Sequence, residues 1–115
     1  MSRAITCLLL GAAAAALTVT SALAYDWSMT NSSAWAIHQI FISPCSSQNW
    51  GRDRLGRNDV MSTGETYVLN DVGRGCYDVK LVDEDGDVCV ISGVRIHNNL
   101  EWEVTDRNLL NCESR

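Results

Sequence analysis

A chain of 115 residues with 9 basic and 14 acidic side chains carries a formal net charge of −5. That balance repels phosphate backbones and excludes nucleic acid as the expected partner. The length suits one domain with a modest core, and no apolar run reaches the roughly 20 residues of a membrane span.

In chain order, the first element is a leader. Arg3 supplies a positive start, Leu8 to Val19 is almost wholly apolar, and Ala22-Leu23-Ala24 has the small-x-small pattern of a signal peptidase site. Cys7 sits inside the apolar run without the small residues of a lipoprotein signal. The expectation is a Sec signal peptide over residues 1–24 and a single domain over 25–115. Such a chain is periplasmic or secreted, in a bacterial-type cell.

Of the five cysteines, Cys7 leaves with the leader and Cys45, Cys76, Cys89 and Cys112 remain. An even number in a short exported chain reads as two disulfides, each able to add about 2–4 kcal/mol. No CxxC or HxxxH pair supports zinc, so neither a metal nor any cofactor is expected.

The remaining sequence alternates with the period of strands. Tyr25, Trp27 and Met29 form one face against Asp26, Ser28 and Thr30, and a turn follows at Asn31-Ser32-Ser33. Trp35 to Ser43, rich in aromatic and β-branched residues, is the strongest strand and is closed by Pro44. A long polar connection over 45–65 precedes a short strand at Thr66 to Leu69. Tyr77, Val79 and Leu81 then share a face, and Asp85-Gly86 marks a two-residue hairpin. Pairing Glu84 with Asp87 sets Leu81 against Val90, Val79 against Ser92 and Tyr77 against Val94. In that register the apolar faces coincide.

Beyond it, a three-residue loop at His97 to Asn99 matches Ile96 with Leu100 and Val94 with Trp102, making a three-stranded meander. Its apolar side must pack on the earlier strands. The expected fold is all-β, a small antiparallel two-layer sandwich of about six or seven strands stabilised by disulfides, with a small barrel as the alternative. The register also sets Cys76 opposite Arg95 and Cys89 opposite Val82, near 20 Å apart and out of bonding reach. Cys89–Cys112 and Cys45–Cys76 are the favoured pairs.

Ser43-Pro44-Cys45, Trp50-Gly51-Arg52-Asp53-Arg54-Leu55-Gly56, Gly64, Gly75-Cys76-Tyr77-Asp78-Val79, Asp83 and Asp85-Gly86 carry a resemblance. They resemble a family of small exported bacterial β-domain proteins of unknown function. Its pattern runs Ser-Pro, a Trp-Gly-x-Asp-x-Leu-Gly loop, then Cys-x-Asp. The resemblance spans roughly Trp35 to Trp102 and implies a β domain in the periplasm or outside the cell, with no known activity. This chain departs at His97, where family members place a cysteine, so the family's connectivity cannot be copied here.

The candidate recognition loop comprises Trp50, Arg52, Asp53 and Arg54. An indole offers a flat apolar contact and the charges can orient a partner. The competing structural role has Trp50 and Leu55 pinning a long loop while Asp53 caps backbone N–H groups. Asp83-Glu84-Asp85-Gly86-Asp87 suggests calcium, but the sixth and twelfth positions of an EF-hand loop would be Val88 and Val94, so a solvated hairpin tip is expected. His38 and His97 accompany no catalytic motif, and no catalytic residue is assigned. Asn31-Ser32-Ser33 matches a glycosylation acceptor but reads better as a turn. The functional expectation is a non-enzymatic binding module for a protein or envelope component. The alternatives are a small secreted hydrolase or accessory domain using His38 or His97 with Asp53 or Asp78, and a structural envelope protein.

Overall fold

The computed structural model describes residues 24–113. The expected leader, apart from Ala24, lies outside the described residues. Six strands and one helix follow in order: β1 (Ala24–Ser32), β2 (Ile37–Pro44), β3 (Thr66–Gly73), β4 (Gly75–Asp83), β5 (Val88–Ile96), β6 (Leu100–Thr105) and α1 (Asp106–Glu113). They form two three-stranded sheets, ordered β3-β1-β6 and β2-β4-β5. The fold is thus the two-layer β-sandwich, and the described residues form no closed barrel.

Period-2 alternation builds the interior. Trp27 and Met29 from β1, Ile40 and Ile42 from β2, and Val79 and Leu81 from β4 are buried, while the residues between them face outward. Ile37, Leu69, Val72, Ile96, Val104 and Leu109 complete the core. At roughly 25 cal/mol per Å² of apolar surface, these side chains supply the main stabilisation. Among the described residues, the Trp27 indole N–H is a buried side-chain donor with no hydrogen-bond partner.

The tip of the β4–β5 hairpin differs from expectation by one residue. Val82 pairs with Val88, Leu81 with Cys89 and Val79 with Ile91, whereas Tyr77 pairs with Val94 and Cys76 with Arg95 as anticipated. The turn has three residues rather than two. Asp83 N–H donates to the Asp87 carbonyl at 3.0 Å, Gly86 N–H donates to the Asp83 carbonyl at 2.9 Å, and Gly86 has φ +82°. That is a type I turn followed by a left-handed glycine. Buried Asp83 selects it, because its Oδ1 accepts from both Asp85 N–H (2.9 Å) and Asp87 N–H (3.0 Å). A register irregularity between Tyr77 and Val79, with Gly93 at φ +77° on β5, restores the expected pairing further along.

The meander does not form. The link from β5 to β6 has the expected length, but β6 leaves β5 and pairs with β1 in the other sheet, and it does so in parallel: Trp27 faces Leu100, Met29 faces Trp102 and Asn31 faces Val104. Asn99 Oδ1 accepts from Asp26 N–H at 2.9 Å and fixes the crossing. Face matching could not separate the two arrangements, since the apolar side of β6 looks into the same interior from either sheet.

The chain then enters α1, which the strand-dominated reading omitted. Thr105 and Asn108 cap its start reciprocally: Asn108 Oδ1 accepts from Thr105 N–H at 2.9 Å, and Thr105 Oγ1 accepts from Asn108 N–H at 3.2 Å. Leu109 anchors the helix in the core. The structure joins Cys45 to Cys76 and Cys89 to Cys112. It is α1, rather than an extended hairpin, that carries Cys112 back to Cys89. Two disulfides fit an oxidising compartment. Among the described residues no helix is long and apolar enough to cross a membrane.

Candidate functional site

The 45–65 connection is tied to the sandwich mainly by its own backbone and by one carboxylate. Asp53 Oδ1 accepts from Ile40 N–H and Leu55 N–H, each at 3.0 Å. Arg54 N–H donates to the Ile40 carbonyl at 2.7 Å, and the Arg54 carbonyl accepts from the Tyr67 hydroxyl. Leu55 and Met61 are buried, and Met61 exchanges a pair of backbone hydrogen bonds with Ile37 (2.9 and 2.8 Å). The loop therefore covers the outer edge of β2, which would otherwise offer unpaired backbone groups. The four recognition-loop residues do not converge: Asp53 and the Arg54 backbone hold the loop, Arg52 is exposed, and Trp50 alone reaches across a sheet face.

That face is the outer side of β2-β4-β5. Lys80 points out from β4, and its Nζ lies 4.9 Å from the ring centre of Phe41 on β2 and 4.9 Å from that of Trp50. An ammonium held between two aromatic faces gains cation–π attraction, about 0.5–1 kcal/mol at an exposed ring. No acidic side chain pairs with Lys80 among the described residues. The ladder extends the patch, because Val90 stands opposite Lys80 and Val88 opposite Val82. Val88 is 49% exposed. Phe41 and Trp50 thus flank one cation, and Val82, Val88 and Val90 share its sheet face. Lys80 and Phe41 were not among the sequence candidates. The Phe41–Lys80 rung depends on how β2 registers on β4, which no local pattern gives.

The opposite face has different chemistry. Ser28 and Thr30 on β1 pair with Glu101 and Glu103 on β6, and Thr30 and Thr66 hydroxyls lie 2.7 Å apart. Short hydroxyl side chains on the central strand beside longer glutamates on β6 shape an open groove of about 470 Å³. The sandwich therefore shows an aromatic, cationic side and a hydroxyl, anionic side.

The other sequence candidates are placed as follows. Asn31 is fully buried. Its Nδ2 donates to the carbonyls of Trp35 (2.8 Å) and Met61 (2.9 Å), while its Oδ1 accepts from Ser33 N–H (3.0 Å) and Ser33 Oγ (2.7 Å). It is a structural hub and has no room for a glycan. Carboxylate oxygens of Asp83, Asp85 and Asp87 lie within 4.8 Å of one another, with Asp83 committed to the turn and Glu84 tied to Ala36 N–H at 2.7 Å. His38 is exposed at the irregularity in the β2–β4 pairing. His97 lines a cleft with Arg74 and Arg95, and neither Asp53 nor Asp78 joins it there. Asp78 instead braces structure: Oδ1 accepts from Gly93 N–H and Oδ2 from Ser46 N–H, both at 3.0 Å.

Comparison with protein-family models, curated proteins and solved structures found no match.

Proposed function

We propose that this chain is an exported, non-enzymatic binding module of the periplasm or cell exterior. It recognises a protein partner with the outer face of β2-β4-β5. The observation that carries this reading is the Lys80 ammonium held between Phe41 and Trp50 without a carboxylate partner, beside the exposed Val88. An apolar patch with an aromatic anchor and one unpaired cation has the make-up of an interface centre. The complementary surface is apolar with a carboxylate placed to meet Lys80. The hydrolase alternative finds no aspartate partner for His97 in its cleft, which holds two arginines instead.

The test is affinity capture from the native envelope with the oxidised protein, using wild type, Lys80→Gln, Val88→Asp and Glu103→Gln in parallel. A partner retained by wild type and Glu103→Gln but lost with both variants of the aromatic face supports the reading. A partner set indifferent to Lys80→Gln and Val88→Asp refutes it.

A further inference from the structure

Beside the far end of the same sheet's β4–β5 ladder sit three basic side chains. Gly75 pairs with Ile96 and Cys76 with Arg95, while Arg74 and His97 lie just outside the ladder, one before β4 and one after β5. Ile96 points into the core, so Arg95 beside it faces outward, and His97 follows directly after the end of the strand. Arg74, Gly75, Arg95, Ile96 and His97 together line a cleft of about 200 Å³.

No carboxylate lines this cleft, although the chain is acidic overall. The acidic side chain that follows on the same face of β4, Asp78, has both oxygens engaged by Gly93 and Ser46 N–H groups. Like charges gathered round one cleft repel, and a bound anion relieves that repulsion. Gly75 contributes no side chain to the floor, so the cleft stays open between its basic walls. Two guanidinium forks and an imidazole supply donors from separate directions, which suits a tetrahedral oxyanion better than a planar carboxylate.

We propose that Arg74, Arg95 and His97 form a binding site for a phosphate group, either free or on a lipid headgroup. The site stands apart from the aromatic face: Lys80 lies four residues along β4 from Cys76, which pairs with Arg95, about 13 Å away. Each can fail without the other.

The experiment titrates inorganic phosphate into the oxidised protein while following backbone amide resonances. Saturable shifts confined to residues 74–77 and 94–97 are expected. Arg74→Gln and Arg95→Gln should each weaken binding by about tenfold, and Lys80→Gln and Arg57→Gln should leave it unchanged. A parallel arm measures binding to vesicles of phosphatidic acid in phosphatidylcholine against phosphatidylcholine alone. Site-dependent binding in one arm only assigns the source, free or lipid-borne, and supports the site. Absence of binding in both arms overturns the proposal, as does equal weakening by Lys80→Gln. The wild-type shift map answers the question even if an arginine variant fails to fold.

Discussion

Trp27 and Trp102 meet edge to face, with ring centroids 5.4 Å apart and planes inclined by 61°. This contact joins the first and last strands of the sandwich side by side and clamps the parallel β1–β6 pair from within. Such aromatic pairs contribute about 0.5–1.5 kcal/mol beyond their buried area. Trp102→Ala removes both the pair and the packing, and is expected to cost about 3 kcal/mol. Trp102→Phe should recover most of that. Urea unfolding of the oxidised protein measures both, and an equal loss for the two variants would remove the pair from the account.

Asn31 offers a sharper probe of polar burial. Asn31→Asp keeps the acceptor for Ser33 but replaces Nδ2, which donates to both carbonyls, with an oxygen that faces the carbonyls of Trp35 and Met61. The expected loss is about 3 kcal/mol or more, with unfolding at lower urea, because a buried charge then lacks compensation. Ser32, exposed at the end of β1, should tolerate alanine within about 0.5 kcal/mol.

Asp53 tests the structural role of the long loop. Asp53→Ala leaves Ile40 N–H and Leu55 N–H without their shared acceptor, at an expected cost of about 1–3 kcal/mol. Asp53→Asn retains an acceptor oxygen and should cost less. Amide hydrogen exchange at Ile40 and Leu55 checks the mechanism directly: faster exchange in Asp53→Ala than in Asp53→Asn is the expected order.

The two disulfides close loops of similar length, with sequence separations of 31 and 23. Loop entropy alone then makes them nearly equal, about 3.5 kcal/mol each. Their local effects differ. Replacing Cys89 and Cys112 by serine loosens α1, for which Leu109, the Thr105–Asn108 cap and the Asp106–Ala34 hydrogen bond then remain as anchors. Limited proteolysis is expected to cut within residues 106–113 before any other site. Replacing Cys45 and Cys76 should instead expose the Ser46–Gln48 turn.

Val88→Asp is the clean surface probe of the aromatic face. With half of its surface in water, Val88 should accept a charge within about 0.5–1 kcal/mol of stability. Unchanged unfolding together with a lost partner would assign Val88 to recognition rather than folding.

Much of this architecture is legible in local pattern. The alternation of Tyr25, Trp27 and Met29 marks the inward face of β1, and Gly86 marks the hairpin turn. What escapes is what depends on distant residues. Whether β6 lies beside β5 or β1 is decided by Asn99 reaching Asp26 and by Trp102 reaching Trp27, contacts across more than 70 positions. Within the site, Trp50 stands out as a large apolar side chain in a polar loop. Lys80 gains meaning only once β2 sets Phe41 beside it. The hairpin slip has a local cause that the Asp-Gly signal masks: Asp83 draws two N–H groups and so lengthens the turn. The helix was also signposted, since Thr105 and Asn108 have capping-box spacing, with asparagine in place of the usual Glu or Gln.

The placement of β1 also bears on the order of assembly. It is the middle strand of its sheet, bonded on one side to β3 and on the other to β6. The β2-β4-β5 layer contains a tight hairpin and can zip early, whereas its companion waits for segments from opposite ends of the chain to meet. A ribosome product cut short before Leu100 would carry β1 with one flank bare, a surface prone to capture by stray strands. Survival of the nascent protein therefore rests on residues 100–105 arriving before a competitor does.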